Sequence, residues 1–222
     1  MNITIIFSMH LDAGKCNSKE LYNIIENINP EIIFEEFDIS RTEDEYYKNG
    51  HYKYQEKCSV ETTAIMNYLE NHQVIHVPVD TYELENLPDD MYNKISNNNE
   101  EYSNLVKMNF VLSCQHGFPY LNSTECCDLI ENFKTIEENV VNKLNDKKLT
   151  ETYNSWKLIT NNRDNEMIKN IYNFSKNHNY KKAVFITGAD HRKSILNKIN
   201  DYKLKEEIKI DWEVLAHRIT KW

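Results

Sequence analysis

His10, Glu35, Glu36, Asp80, Asp190 and His191 each end or closely follow a short apolar run, and these are the residues whose types could do chemistry. Two imidazoles and one carboxylate can hold a divalent ion and leave a position open for water. Without a metal the same trio can do acid–base work, a glutamate orienting a histidine that deprotonates water. Residue types alone do not separate these two readings. Lys, Asn and Ser are the ordinary residents of strand ends, so the constellation carries more weight than any one member.

Such scattered residues meet only if a common rim gathers them. Ile3 to Phe7, Ile32 to Phe37, Gln73 to Val79 and Lys182 to Thr187 read as buried strands, and Ile208 to Leu215 alternates as an edge strand does. Asn17 and Glu20 have capping-box spacing, followed by Leu21, Ile24, Ile25 and Ile28 at helical intervals. With Pro30 ending that helix, strand, helix and strand form a βαβ unit, which is right-handed with parallel strands. Helices are expected over 59–71, 164–178 and 190–201, and the acidic, tyrosine-rich 41–56 reads as a loop or short helix. Residues 84–160 show no strand pattern and read as about three helices, interrupted near Asn97–Asn99 and Gly117–Pro119. The expected architecture is a single α/β domain over 1–222. It has a mostly parallel central sheet flanked by helices and an all-helical insertion, about 84–160, between the third and fourth strands.

In an open parallel sheet ligands bind beyond the carboxyl ends of the strands. Strand one delivers Ser8 and His10 there, and strand two Glu35, Glu36 and Asp38. Strand three delivers Asp80, the fourth Gly188, Asp190 and His191, and the last His217. The insertion would border this rim and could cover a substrate. Arg163 reads as preceding a helix whose positive end favours anions, so it could hold a substrate carboxylate or a developing oxyanion. A surface pair with Asp164 or Glu166 is the plainer alternative.

These motifs resemble the TraB/Tiki-like proteins, a group that also takes in erythromycin-esterase-like hydrolases and ChaN-like haem-binding lipoproteins. Phe7-Ser-Met-His10 and Pro30-Glu-Ile-Ile-Phe-Glu-Glu36-Phe-Asp-Ile-Ser-Arg41 are similar to the family's opening blocks. Arg163-Asp164 with Met167, and Val184-Phe-Ile-Thr-Gly188-Ala-Asp-His191, are similar to its later ones. The resemblance covers the first 41 residues and roughly 160–200, with a looser match at Val77–Asp80. It implies a hydrolase, of peptidase or esterase type, cleaving an amide or ester of a small molecule or peptide. His10, Glu36, Arg163 and His191 would be catalytic, and His10, Glu36 and His191 would be ligands to zinc or manganese if a metal is used. Glu35, Asp80 and Arg41 would contact substrate, Asp80 also serving a ligating imidazole as hydrogen-bond acceptor. Phe7 departs from the pattern, since the family has glycine there. The alternative is a non-catalytic binder or regulator, haem binding included, with Tyr46, Tyr47, Tyr52 and Tyr54 as possible ligands.

Composition narrows the classes. Hydrophobic residues make up 40% of the 222 and aromatics 11%, enough for a packed core. Gly and Pro number 4 each, too few for a turn-dense β sandwich. Residues 1–150 balance to −14 and residues 151–222 to +5, with no dense basic run, so nucleic acid is not an expected partner. Met1 to Phe7 carries no basic leader or long apolar run and reads as a strand, so no membrane partner is expected and the protein reads as cytoplasmic. Five cysteines without a CxxC pair fit a reducing compartment. Cys114-x-His116 with Cys126-Cys127 lacks zinc-site spacing and reads as buried helix residues.

Overall fold

The computed structural model describes residues 1–41, 47–48, 51–52, 59–81 and 89–215, with the backbone alone described at 41, 47–48, 51–52 and 89. The β-branched run at the start forms β1 (Asn2–Ser8), and the expected cap works: Asn17 accepts the Glu20 N–H at 3.0 Å to begin α1 (Ser18–Ile28). Then follow β2 (Ile32–Asp38), a 3-10 turn at Ile39–Arg41, and two two-residue strands, β3 (Tyr47–Lys48) and β4 (His51–Tyr52). The Ser59 side chain caps α2 (Val60–Asn71), which leads to β5 (Ile75–Asp80). Five helices come next: α3 (Asp89–Asn98), α4 (Glu100–His116), α5 (Phe118–Leu121), α6 (Thr124–Leu144) and α7 (Lys147–Asn177). The chain then forms β6 (Lys182–Gly188), a 3-10 turn at Ala189–His191, α8 (Arg192–Lys205) and β7 (Asp211–Val214).

Strand order is β5-β2-β6-β1-β7, and every pairing in this sheet is parallel. The fold is the expected parallel-sheet α/β architecture with a helical insertion between the third and fourth strands of the sheet. The first βαβ unit is parallel as expected, yet its strands are not neighbours, because β6 lies between β1 and β2. That placement matters for the site, since it sets Gly188 and His191 between the ends carrying His10 and Glu36. β1→β2→β5 runs one way across the sheet and β5→β6→β7 returns. Right-handed crossovers therefore put α1 and α2 on one face and α7 and α8 on the other. The helix contacts agree: α1 packs on α2, with Tyr22 edge-on to Tyr68, and α7 packs on α8. Between the layers Ile3, Ile5, Phe7, Ile33, Phe34, Val184 and Phe185 are wholly buried.

Two expectations need correction. Part of 41–56 is neither loop nor helix but the antiparallel pair β3 and β4; the Asn49-Gly50 between them in sequence is a strong hairpin signal. Near residue 160 there is no break, because α7 runs unbroken for 31 residues. The stretch Thr160–Arg163 is indifferent to helix by propensity, but buried Leu149, Tyr153, Asp164, Met167, Ile168 and Ile171 hold the helix on both sides of it. At 1.5 Å per residue α7 is about 46 Å long, so its first half belongs to the insertion and its second half packs on β5 and α8. The expected interruptions at 97–99 and 117–119 fall at the α3/α4 and α4/α5 junctions. Tyr46 and Tyr54, Cys58, His217, the side chains of Arg41, Tyr47 and Tyr52, and the start of the insertion lie outside the described residues.

The insertion is fastened to the sheet by an amide. β7 pairs with β1 only as far as Ile5, which leaves the peptide groups of Phe7 open on that side. Buried Asn122, between α5 and α6, fills the gap as a strand would. Its Oδ1 accepts the Phe7 N–H at 2.9 Å, and its Nδ2 donates to the Phe7 carbonyl at 3.0 Å. Nearby, Gly14 (φ 59°) lets the loop after β1 touch the end of α4; a Cβ there would lie 2.3 Å from the Cys114 carbonyl oxygen. Asn122→Ala leaves both Phe7 groups buried without partners, and the expected loss is about 2–3 kcal/mol of unfolding free energy in urea. A loss under about 0.5 kcal/mol would show that the insertion is not held there.

Candidate functional site

The ends of β1, β2, β5 and β6 open into a cleft of about 540 Å³. β1 presents His10, β2 Glu36, β5 Asp80 and β6 Gly188, while α2 adds Glu61, the middle of α7 adds Arg163 and Asp164, and the turn after β6 adds His191. Glu36 sits at the centre. Its Oε1 accepts from Arg163 Nη2 at 2.9 Å and lies 3.1 Å from His191 Nε2. Its Oε2 accepts from the Thr187 hydroxyl and the Gly188 N–H, each at 2.8 Å, with His10 Nε2 at 4.0 Å. Burial alone would raise this carboxyl, but His191, His10 and Arg163 outweigh it and hold the group well below the usual carboxylate range.

His191 is buried between two carboxylates, its Nδ1 2.5 Å from Asp164 Oδ1 and its Nε2 on Glu36. Burial pushes its pKa down, yet Glu36 and Asp164 prevail and raise it to about 10. With both ring nitrogens facing acceptors, it is a fixed imidazolium at neutral pH. His10 differs, because half its side chain is exposed to the cleft. Glu61, buried in the first turn of α2, lies 3.2 Å from His10 Nδ1 and accepts the His10 backbone N–H at 3.2 Å. These two contacts oppose the strain of a left-handed backbone at His10 (φ 62°), a conformation costing about 1–2 kcal/mol for an L residue. Burial works to lower the His10 pKa, and Glu61 with Glu36 raises it to about 9.

Most of the expected residues do meet, in different roles. His10, Glu36 and His191 converge. The carboxylate that holds His10 is Glu61, however, and the one behind His191 is Asp164. Glu35 points to the opposite side of β2, where it pairs with His76 of β5 at 2.9 Å, so Glu36 is the glutamate of the rim. Arg163 does not precede a helix but lies in the middle of one. Its guanidinium clamps Asp80, with Nε 3.1 Å and Nη2 2.6 Å from Oδ2, and reaches Glu36 as well. Asp80 therefore serves the arginine, not an imidazole. Phe7 stands where the resemblance has glycine because it is core, fully buried with Arg192 over its ring at 5.2 Å.

The close approach glycine allows is found at Gly188 instead, where a Cβ would sit 2.9 Å from His10 Nε2. Asp164 was visible in sequence as the neighbour of Arg163, and only its burial shows that it faces inward. Glu61 gave no signal beyond being an acidic residue in a first helical turn. The cysteines expected in helices are there, Cys114 on α4 and Cys126 with Cys127 on α6, all three free.

A divalent ion does not fit this arrangement. Both Glu36 oxygens are occupied by protein donors, one of them a guanidinium, so the carboxylate that would ligate the ion is already engaged. Among the described residues no group of His, Cys, Asp and Glu is arranged to hold a metal. No helix among them is long and apolar enough to cross a membrane. No family model, curated protein or solved structure matches this chain.

An imidazole whose folded pKa lies above its unfolded value of 6.5 stabilises the fold fully below 6.5 and loses that contribution as pH climbs to about 10. Against His191→Gln, the wild type should be more stable by about 3 kcal/mol at pH 6, the scale of a broken buried pair. The gap should shrink by more than half by pH 10 in denaturant titrations. A gap that stays constant over this range would show that His191 is not held as an imidazolium.

Proposed function

We propose that the protein is a hydrolase of the TraB/Tiki-like kind that cleaves an ester or amide with water activated by His10, without a metal. The supporting observation is the His10–Glu61 pair. Glu61 engages Nδ1 and the backbone of the same residue, while Nε2 is left towards the cleft, the orientation in which a histidine acts as general base. The neutral form of His10 takes a proton from water at Nε2, and the resulting hydroxide adds to the carbonyl carbon of the substrate. The tetrahedral intermediate then collapses as the imidazolium returns that proton to the departing alcohol or amine, leaving the acid product.

Negative charge gathers on the carbonyl oxygen during this step, and the fixed cations His191 and Arg163 favour it electrostatically. Arg163 is a positioning residue in this scheme, since Asp80 and Glu36 occupy its guanidinium. Glu36 fixes His191 and Arg163 against the β6 end and lowers the cost of keeping two cations beside His10. The substrate is a small molecule or peptide. The four described cysteines are free, which supports a reducing, cytoplasmic setting.

The pH profile tests the roles of the two histidines. With the His10 base pKa at about 9 and the His191 cation at about 10, kcat/KM should rise about tenfold per pH unit up to 9 and decline above 10. Turnover of ester and amide panels should survive exhaustive chelation in full and vanish in His10→Ala. Loss on chelation with recovery on adding zinc or manganese would replace this mechanism with a metal one. Absence of turnover across the panels would leave a ligand-binding pocket.

A further inference from the structure

A second cavity of about 770 Å³ lies under the insertion and adjoins the cleft, the two sharing Asn109, Asp190 and His191 in their walls. Its other walls mix polar and charged side chains with aromatic rings, among them Tyr92 from α3, Phe133 from α6, and Tyr153 and Trp156 from α7. Into this setting α6 brings three carboxylates, Glu131, Glu137 and Glu138, of which Glu137 is only 7% exposed. The Tyr102 hydroxyl donates to its Oε1 at 2.8 Å, and its Oε2 has no partner among the described residues. Three lysines line the cavity and all are engaged elsewhere, Lys193 with Glu131 at 2.8 Å. Lys134 donates to the Asp190 carbonyl at 2.7 Å, and Lys157 pairs with Glu138 at 3.4 Å.

From this arrangement we infer that the second cavity is a recognition subsite for a cationic ammonium group on the substrate, Glu137 being its counter-charge and the aromatic rings its walls. The inference rests on reading the rim as a hydrolytic site. A substrate seated here would pass over His191 to put its ester or amide at His10. Three further features point to a cation. The Lys157 ammonium already lies 5.3 Å from the Tyr153 ring centroid, so this wall attracts such a group. Burial first, and then the Glu137 charge, push the phenols of Tyr92, Tyr102 and Tyr153 upward, so these hydroxyls stay neutral beside the carboxylate. Burial also raises Glu137 to about 7, despite help from Tyr102, which marks a carboxylate without a direct cation. An ammonium ligand would supply that cation at the Glu137 Oε2.

Benzylammonium and its neutral counterpart benzyl alcohol are the probes, with dissociation constants from ligand-observed NMR on the full chain. Wild type should bind the cation about tenfold tighter than the alcohol. Glu137→Gln keeps the volume and an acceptor for Tyr102, and should bring the two within about twofold while leaving alcohol binding unchanged. Should that variant misfold by circular dichroism, Trp156→Leu tests the wall and should also weaken the preference. Equal binding in wild type, or a preference that survives both substitutions, overturns the subsite. Ammonium selectivity without ester or amide turnover upholds the subsite and removes the hydrolase, and turnover without selectivity does the reverse.

Discussion

A buried carboxylate is the constraint on which the rim depends. The Glu36 side chain is only 7% exposed at the end of β2, where an uncompensated charge would cost several kcal/mol. The donors that offset this cost come from three different elements: the Gly188 peptide and Thr187 hydroxyl from β6, Arg163 from α7, and His191 from the turn before α8. The carboxylate can remain ionised only when these elements are docked. Docking in turn places Asp80 on the arginine and Asp164 on the histidine. The result is a network of alternating charges in which His10 is the member most exposed to the cleft.

Topology explains why such a network arises here. Because β6 lies between β1 and β2, the Gly188 end is flanked by His10 on one side and Glu36 on the other. A side chain at 188 would collide with His10, so the glycine is a condition of the cluster and not merely a turn residue. The second condition is the length of α7. An uninterrupted helix carries Arg163 and Asp164 at consecutive positions, about 100° apart around its axis, so one residue reaches Glu36 and the other His191. The same helix belongs to the insertion, which Asn122 also ties to β1. The insertion thus contributes wall to both cavities while being tied to β1.

The sequence discloses this site unevenly. Strands of β-branched residues, the Asn17 cap and the helical spacing after it can be read directly, as can the convergence of His10, Glu36 and His191 on one rim. Strand order is not encoded locally, so nothing in the first βαβ unit reveals that β6 will separate its strands. Arg163 can be singled out, but not its place within a helix, because Thr160-Asn-Asn-Arg163 resembles a helix start when the packing on both sides is unseen. Glu61 was invisible for a different reason. Its partner lies 51 residues away, and an acidic residue in a first turn is ordinarily explained by the helix dipole. Glu35 and Glu36 could be distinguished only once Phe34 was seen packing edge-on to Phe174 of α7, which sets the even-numbered face of β2 towards Arg163.

The central claim is that the Glu36 charge keeps His191 protonated in the folded protein. NMR titration of the His191 ring, in wild type and in Glu36→Gln, measures this directly. The account requires the wild-type imidazolium to persist well above pH 6.5, towards about 10, and to give up its proton at least about one pH unit earlier in the variant. A wild-type His191 that titrates near 6.5, or one whose titration is unmoved by the substitution, would contradict it.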